Sequence, residues 1–562
     1  MQAAEFDAIV LGAGINGSGI ARDLALRGLR VALIERHDIA HGASSNNTGM
    51  IHGGIRYLRY DVATTKESCV DAGYIERIAP HLLTRIPFVF PIFSDEPMGR
   101  LLLEGAETFF EAYDHFQPLK GGKKHCRLTK EEVLHLEPGL RHDVIGGVTL
   151  DEWGVDAFRL TLLNAIDAHE HGADVRTYNE LVDFLRDADG RVVGVKVFDR
   201  QQKVVSELRA PVTINATGAW GPRVTAKLGI PYRLRQGKGV HIVYSHRVSN
   251  VGLIIKGVDG RQMFFLPHQN HTVVGTTDDD YYSDLDAPVV LEDEVKYILQ
   301  AARHVFPSID KHRPSYTYVG VRPTLFGWGK NEDALSREHA FLDHENDGAA
   351  GLISIMGGKL ASYRILAEEV SDIVAKRLGN TAKCVTHEQP LPGAANIDGI
   401  KTLSELALKR RFGSRADHAT VSSKSSTVCI CEDVSHDSIR YSRDNELSKR
   451  LLDMCKRTGL GMGACGGMHC LHAASAAFRG GETHSLKRRL VELKDTMDSR
   501  FKARRTLLFG ANLQTEELSR AKHFLSGGLH HFMAWANADE KATGVAGVSP
   551  APAESFLTRP NE

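Results

Sequence analysis

Four cysteines near the carboxyl end of the chain have the type and spacing of metal ligands. Cys429 and Cys431 form a C-x-C pair, and Cys465 and Cys470 form a C-x₄-C pair after an interval of 33 residues. Four thiolates on two short loops can hold an iron–sulfur cluster or a zinc ion. Structural zinc sites usually use C-x₂₋₄-C pairs, so the C-x-C spacing favours the cluster. Zinc remains the alternative.

A glycine pattern at the other end of the chain is typical of a dinucleotide-binding turn. Gly12, Gly14 and Gly17 follow the apolar residues 8–11 at G-x-G-x-x-G spacing. Gly12 would allow a tight turn, Gly14 would let the backbone approach a pyrophosphate, and Gly17 would let a helix pack closely on the strand. The N–H groups at the start of that helix would face the phosphates. The pattern alone does not separate FAD from NAD.

The next apolar run ends at Glu35, where a carboxylate could accept hydrogen bonds from an adenosine ribose. Arg36 follows it, and a polar loop, HGASSNNTGMIHGGIRY, then covers residues 41–57. The hydroxyls of Ser44 and Ser45 suit a diphosphate or the edge of a flavin, and long loops after such units are often functional. We therefore expect Glu35, Arg36, Ser44 and Ser45 to bind the cofactor.

The elements that must position these residues alternate between strands and helices, which predicts an α/β fold. Residues 7–36 read as strand, helix and strand, and residues 61–111 read as helices interrupted by the strand-like segment IPFVFPIF. Residues 173–198 read as a strand, a hairpin and a strand, with a turn at Asp189-Gly190. An apolar strand at 212–215 runs into an Ala-Thr-Gly turn, where Thr217 and Gly218 would let the backbone pass close to a cofactor. The interval between the cysteine pairs reads as two helices.

The bulk composition describes an ordinary soluble protein of two to four domains. The chain has 562 residues, a formal net charge of −1 and 42% hydrophobic residues, so nothing favours a nucleic-acid partner. No apolar stretch reaches the length of a bilayer-spanning helix. The chain enters a predicted strand almost at once, and we expect no export signal. We therefore expect the eight cysteines to be thiols or metal ligands on the cytosolic side.

Several motifs resemble those of a known family. With the Ala-Thr-Gly turn, the N-terminal unit is similar to the glutathione-reductase-like FAD-binding (Rossmann) fold. Four further motifs resemble those of FAD-dependent glycerol-3-phosphate dehydrogenases: IHGGIRYL at 51–58, VGTTDDD at 274–280, YVGVRPT at 318–324 and GGKLASYR at 357–364. This resemblance implies a flavin region with an α+β substrate domain over residues 1–385, and oxidation of sn-glycerol 3-phosphate to dihydroxyacetone phosphate. The alternative is an amino-acid or 2-hydroxy-acid dehydrogenase or oxidase of the same fold.

The resemblance also assigns site residues. A phosphate dianion needs several charge-assisted donors, which arginine supplies bidentately. The side chains in matching positions that would face substrate and flavin are Arg56, Tyr57, Arg322, Arg337 and Lys359. Lys359 would lie beside the pyrimidine edge of the flavin, with Gly357 and Gly358 as further cofactor-binding residues. His241, in GKGVHIVY, matches the position of the base that accepts the hydroxyl proton.

The cysteine pattern is similar to the [2Fe–2S] domain of bacterioferritin-associated ferredoxin. Joined to a flavin region, it resembles the flavin-containing chain of anaerobic members of the family. Those members work with two partners, a second flavoprotein subunit plus a membrane-anchoring iron–sulfur subunit. They pass electrons to a quinone at the cytoplasmic side of the inner membrane. His241 and the motif at 51–58 are closer to aerobic, single-chain members, which leaves direct transfer to quinone open.

The resemblance and composition together predict the domain boundaries. We expect a linker at 386–427, a [2Fe–2S] domain at 428–475 and a helical C-terminal segment at 476–562 with a disordered tail. The basic stretch at 486–505 is either a solvated helix face or a docking site for lipid or a partner protein.

Overall fold

The computed structural model describes residues 5–55, 58, 61–96, 98–327, 339–397, 399–420, 426–463, 465–479, 486–508 and 510–526. The strands are β1 (Ala8–Leu11), β2 (Val31–Glu35), β3 (Met50–Ile51), β4 (Leu83–Phe93), β5 (Arg127–Thr129), β6 (Val144–Val155), β7 (Asp174–Thr177), β8 (Asn179–Arg186), β9 (Val192–Asp199), β10 (Val204–Arg209), β11 (Val212–Asn215), β12 (Leu234–Tyr244), β13 (Gly252–Lys256), β14 (Gln262–His268), β15 (His271–Gly275), β16 (Asp279–Asp280), β17 (Tyr316–Leu325), β18 (His339–Asp343), β19 (Leu352–Gly357), β20 (Thr427–Cys429) and β21 (Val434–Ser435). The helices are α1 (Ile15–Leu26), α2 (Val62–Ile78), α3 (Gly99–Asp114), α4 (Lys130–Leu136), α5 (Ala157–Glu170), α6 (Gly221–Thr225), α7 (Glu292–Val305), α8 (Tyr363–Leu378), α9 (Leu403–Phe412), α10 (His436–Asn445), α11 (Leu451–Thr458), α12 (Leu471–Arg479), α13 (Leu486–Arg504) and α14 (Ala511–Ser526).

A Rossmann-like sheet carries the N-terminal glycine turn. Its order is β18-β19-β11-β1-β2-β7, with every pair parallel except β18 with β19. All four residues of β1 are buried, and α1 packs against α5 and α8. Strands covered in this way are continuously apolar, which is why the βαβ unit was predictable from sequence.

A second, larger sheet has the order β16-β12-β15-β14-β13-β4-β6-β3, with β17 also paired to β12 and β5 to β6. It is mostly antiparallel, apart from the parallel contact of β13 with β4. The β12–β17 register sets Gly237 opposite Arg322 and His241 opposite Tyr318. Two of the predicted site residues therefore lie on neighbouring strands.

The coarse prediction of a mixed α/β fold with a Rossmann-like sheet and a helical C-terminal region is confirmed. The segment predicted as a linker is packed rather than extended, because it contains α9 and a small core of Phe412, Ala416 and Ala419. The beginning of this segment is fixed against α1, because the buried Arg22 donates to the carbonyl oxygens of Thr386 and Gln389. This packing could not be predicted from the polar composition of the segment, because backbone oxygens and few apolar side chains make the contacts.

The region that carries the cysteines has a core of its own, formed by β20, β21, α10 to α13 and their loops. The two helices predicted between the cysteine pairs are α10 and α11. Helix α13 confirms the predicted helix at 486–505, and Leu493 and Met497 on it are buried in this core. Among the described helices, none is both long enough and apolar enough to cross a membrane.

Buried ion pairs hold this region against the Rossmann-like sheet. The guanidinium of Arg457 on α11 donates to both carboxylate oxygens of Asp38, at 2.9 and 2.8 Å. Arg159 on α5 pairs with Glu446 at 2.6 Å. Burial acts to raise the pKa of Asp38, but Arg457 holds it below its usual value. Each buried charge is therefore satisfied across the contact.

We predict that Asp38→Asn will destabilise the contact strongly, because it leaves the Arg457 guanidinium buried without a counter-charge. Removing one partner of a buried pair costs about 3–5 kcal/mol. Asp310→Asn is the matched control, since Asp310 pairs with Arg303 at the surface, where loss costs about 0–1 kcal/mol. Urea unfolding followed by circular dichroism measures both. Equal midpoints for the two variants would contradict the prediction.

Candidate functional site

A cavity of about 650 Å³ is lined by residues from both large sheets. The glycine turn after β1, the loop after β2 and the turn after β11 form one part of its wall. Strands β13, β14 and β17 and the segment after β19 form another. The predicted cofactor-binding residues on this wall are Gly12, Gly14, Glu35, Arg36, Ser44, Thr217, Gly218, Gly357 and Gly358.

The glycine turn has the close contacts that its sequence predicts. Gly12 has φ +97°, and a Cβ there would lie 2.8 Å from the carbonyl oxygen of Ala216. A Cβ on Gly17 would lie 1.9 Å from the carbonyl oxygen of Gly12. The first residue of α1, Ile15, donates its N–H to the Ser44 hydroxyl at 2.9 Å. The turn therefore brings the start of α1 to the cavity wall, where N–H groups can bind an anion.

Glu35 and Arg36 close the wall beside this turn. Glu35 accepts hydrogen bonds from the N–H groups of Ala13 at 2.9 Å and His37 at 2.7 Å. Burial raises the pKa of Glu35, while the same two N–H groups act to lower it. Arg36 is paired with Asp286, which also accepts from the indole of Trp220 at 2.6 Å. Both predicted residues are thus held in place by the chain itself.

Two hydroxyls of the predicted set point toward the backbone or a neighbouring side chain. Ser45 donates to the carbonyl oxygen of Ala40 at 2.6 Å and is not part of the cavity wall as described. Thr217 lines the cavity and donates to the Asn215 side-chain oxygen at 2.6 Å. Ser45 therefore supports the loop rather than the cavity.

A buried polar atom shows that the cavity suits a ligand with hydrogen-bond donors. Asn16 lines the cavity, and its Oδ1 is buried without a hydrogen-bond partner among the described residues. An N–H or O–H on a bound cofactor would satisfy this oxygen. Together with the backbone turn and the N-terminus of α1, the wall fits a dinucleotide such as FAD.

An arginine cluster surrounds Asp278 at another part of the wall. The buried Asp278 carboxylate accepts from Arg322 at 2.8 Å, from Arg261 at 3.1 Å and from Arg235 at 3.1 Å. Arg261 and Arg322 both line the cavity. Arg235 also pairs with Asp280 at 2.5 Å. Three guanidiniums against two carboxylates leave a net positive charge, which suits an anion in the cavity. Sequence reasoning missed Arg261, Arg235 and Asp278, although Asp278 lies inside the motif VGTTDDD.

His241 lies behind the wall rather than on it. It is 1% exposed, it stacks on Tyr318 at 4.5 Å between ring centres, and its Nε2 lies 3.1 Å from the Thr48 hydroxyl. Burial lowers the pKa of His241 to about 3, and nearby Arg322 contributes to the same lowering. Since Thr48 lines the cavity, its hydroxyl lies between the cavity and the ring.

Lys359 lines the cavity as predicted, and its Nζ donates to the Ser68 hydroxyl at 3.2 Å. His52 also lines the cavity, and sequence reasoning missed it although it lies in the motif IHGGIRYL. Three predicted substrate-binding residues, Arg56, Tyr57 and Arg337, lie outside the described residues.

The structure brings the four cysteines together as two pairs. Cys431 and Cys465 have their sulfurs 3.8 Å apart. Cys470 hydrogen-bonds to Cys429, which lowers the pKa of the Cys429 thiol to about 5. Across the described residues, no three or more His, Cys, Asp or Glu side chains form a group that could hold a metal ion. The four predicted ligands therefore lie in two pairs of neighbouring thiols.

The cysteine pairs can be compared with what metal ligation requires. Two thiolates on one tetrahedral metal at about 2.3 Å lie about 3.8 Å from each other, which matches the Cys431–Cys465 separation. Gly463 lies against this pair, because a Cβ there would fall 2.3 Å from the Cβ of Cys431. The Cys431–Cys465 separation therefore fits one tetrahedral metal position, which a [2Fe–2S] cluster and a zinc ion both have.

Comparison with known proteins identifies the family of the chain. The profile of the FAD-dependent oxidoreductase family (DAO) matches residues 7–364. The chain belongs to this family. The match includes the glycine turn, the arginine cluster and the segment GGKLASYR.

Related proteins agree with this assignment. The chain is 32% identical to the A subunit of anaerobic glycerol-3-phosphate dehydrogenase from Escherichia coli, over 92% of this chain and 95% of that protein. It is 30% identical to the protein of the same name from Haemophilus influenzae, over 91% and 92%. A glycerol-3-phosphate dehydrogenase of Mycobacterium leprae is 36% identical over 69% of this chain and 66% of that protein. The resemblance to this group of enzymes is confirmed.

A solved structure extends the similarity to the fold. The glycerol-3-phosphate dehydrogenase from Bacillus halodurans, complexed with FAD, superposes with a TM-score of 0.71 at 26% identity. The superposition covers 91% of this chain and 97% of that one. The FAD-binding expectation for the glycine turn therefore agrees with both the family and a solved relative.

We predict that Gly17→Ala will abolish flavin retention, because the added methyl group would collide with the Gly12 carbonyl oxygen. Gly105→Ala is the control, since a Cβ there, in the middle of α3, meets nothing within 4 Å. Replacing a helical glycine by alanine should be neutral or stabilising by about 0.5–1 kcal/mol. The measurement is the flavin absorbance per chain after purification. A flavin-loaded Gly17→Ala protein would contradict the role assigned to the turn.

Proposed function

We propose that this protein oxidises sn-glycerol 3-phosphate to dihydroxyacetone phosphate with FAD, and that the electrons leave through a [2Fe–2S] cluster. The observation that carries the proposal is the cavity that joins the glycine turn to the arginine cluster around Asp278. The names of the relatives point to the same substrate.

The arginine cluster would bind the phosphate. Arg261 and Arg322 reach the cavity and are already held in position by Asp278, so little side-chain entropy is lost on binding. Thr276 also lines the cavity and accepts from Arg322 at 3.1 Å. Arg56, Tyr57 and Arg337 remain proposed contributors to the same site.

The reaction breaks the C–H bond at C2 of the substrate and forms a carbonyl. Bound FAD would supply the hydride acceptor at its N5 atom. The chain must take the hydroxyl proton, and we propose that His241 does so through the Thr48 hydroxyl at 3.1 Å. His52 is the second candidate because it lines the cavity directly. Lys359 would stabilise negative charge on the reduced ring from its place on the same wall.

The cysteine pairs would carry the electrons onward. Reduced flavin holds two electrons, and a one-electron cluster held by Cys429, Cys431, Cys465 and Cys470 could pass them singly. Cys431 is exposed, and its neighbour Ile430 is 89% exposed. An exposed ligand beside an apolar side chain suits docking of an electron acceptor. A zinc ion in these thiols would not support this transfer.

Partner subunits are the proposed route to quinone. Two of the relatives named above are the A subunits of anaerobic enzymes, which supports two partners for this chain, a second flavoprotein subunit plus a membrane-anchoring iron–sulfur subunit. Association at the cytoplasmic face of the inner membrane would then be peripheral.

Direct lipid binding by α13 is less favoured, because Lys494 and Arg488 on it pair with acidic residues of the same helix. Direct transfer to quinone is the alternative.

An amino-acid or 2-hydroxy-acid oxidase is the competing function. Glycine oxidase from Bacillus cereus has the same fold, with a TM-score of 0.51 at 19% identity, over 67% of this chain and 96% of that one. The substrates of such an oxidase carry a carboxylate, which a guanidinium can also bind. Wild-type turnover of glycerol 3-phosphate compared with that of glycine and lactate therefore separates the two functions.

We predict that Arg261→Gln and Arg322→Gln will each raise the KM for glycerol 3-phosphate. A hydrogen bond to a charged group contributes about 1.5–3 kcal/mol, which corresponds to about a tenfold to hundredfold loss in kcat/KM. The measurement is dye-coupled turnover at several substrate concentrations. Arg303→Gln, at an exposed ion pair, is the control and should leave the KM unchanged.

The arginine variants also test whether these side chains bind the phosphate. Turnover of glycerol, which lacks the phosphate, should be slow in the wild type and should not fall further in these variants. Wild-type kinetics for glycerol 3-phosphate in both arginine variants would refute the assigned phosphate site.

We predict that kcat/KM has no acid limb in the neutral range if His241 is the base. With its pKa lowered to about 3, His241 is neutral and able to accept a proton at every higher pH. Loss of activity in His52→Asn, with activity retained in His241→Asn, would instead favour His52 as the base. His241→Asn and His52→Asn complete the test, since losing a general base costs about 10²- to 10⁴-fold in rate. His312→Asn, at the surface, is the control.

A further inference from the structure

Helix α13 passes directly over the loop that carries Cys465. A Cβ added to Gly466, the residue after Cys465, would lie 2.7 Å from Nε of Arg500 and 2.6 Å from Nη1 of Arg504. Gly466 has φ +57° and leaves room for both guanidiniums against the loop backbone. Two positive side chains from a distant part of the sequence therefore contact the cysteine site.

These arginines are enclosed, and part of their hydrogen-bonding capacity is unused. The side chains of Arg500 and Arg504 are 11% and 16% exposed. Glu516 on α14 accepts from both, with the Arg504 contact at 3.2 Å. The Nε atoms of both arginines are buried without a hydrogen-bond partner among the described residues. Burial lowers the pKa of Arg500, while Glu516 and the Cys465 thiol act to raise it.

We propose that Arg500 and Arg504 supply the positive charge that balances the negative charge of the four-cysteine site, and that they raise its reduction potential. Glu516 lowers this effect, because its carboxylate neutralises part of their positive charge. This inference rests on the proposed [2Fe–2S] cluster. The two arginines and Glu516 leave one net positive charge beside Cys465.

The physical reason is electrostatic. Four thiolates give a cluster a net negative charge, and reduction adds one electron to it. Net charge, hydrogen bonds to the sulfurs and solvent exposure set the potential of such clusters. A guanidinium in an enclosed place stabilises the added electron more than one in water, because the surrounding dielectric is lower. Burying unpaired Nε–H groups is costly unless a negative group faces them.

The test is an EPR-monitored redox titration of the cluster in the full-length, iron-loaded protein. Arg500→Gln and Arg504→Gln should each shift the midpoint to more negative potential. Glu516→Gln should shift it in the opposite direction, because it removes a negative charge from the same place. A tenfold change in the ratio of reduced to oxidised cluster corresponds to about 59 mV for a one-electron couple.

Control variants separate charge from structure. Lys494→Gln, on the same helix but paired with Asp498, should leave the midpoint unchanged. Arg500→Lys keeps the charge and should restore most of the potential lost in Arg500→Gln. Thermal unfolding identifies any arginine variant that fails to fold. In that case the reduction midpoint of Glu516→Gln still tests the inference.

The outcomes distinguish this inference from the function on which it rests. Opposite shifts for Arg500→Gln and Glu516→Gln support the counter-charge. Unchanged midpoints, or shifts of the same sign, in an iron-loaded protein overturn it while leaving the cluster intact. A wild-type protein that binds zinc and no iron overturns the proposed cluster itself, and this inference with it.

Discussion

The contact between α1 and the turn that precedes it is the constraint on which the rest of the cavity depends. Helix and strand meet with no side chain between them, since a methyl group on Gly17 would fall 1.9 Å from the Gly12 carbonyl oxygen. Gly12 itself packs against Ala216 after β11. Because β1, β2 and β11 are parallel, their following segments meet at one edge of the sheet. That edge is where the cofactor cavity lies.

Strand β17 joins the two chemical centres of the molecule. Arg322 on this strand reaches the cavity and the buried Asp278. On the same strand, the Thr317 hydroxyl donates to the backbone oxygen of Ala503 in α13, at 2.9 Å. Helix α13 in turn carries the arginines that contact the Cys465 loop. The cation cluster and the loop of Cys465 are therefore linked through one strand and one helix.

The sequence predicted those features that depend on local pattern. Buried β1 and α1 follow from apolar runs and glycine spacing, and the hairpin of β8 and β9 follows from its turn residues. Contacts between distant side chains were not predictable: Asp278 gains its role only from Arg235, Arg261 and Arg322, which lie elsewhere in the chain. The burial of His241 also depends on tertiary packing, as does the packing of residues 386–397 and 399–420. In that segment, carbonyl oxygens bind Arg22 without leaving a sequence signal.

Anaerobic addition of glycerol 3-phosphate to the purified protein, followed by visible absorption and EPR, tests the central claim most directly. We predict that the flavin bleaches and that a reduced [2Fe–2S] signal then appears, because in the proposed function hydride enters at the cavity and single electrons leave through the cysteines. A flavin that stays oxidised would contradict the substrate assignment. A flavin that is reduced while an iron-loaded cluster stays EPR-silent would contradict the electron path.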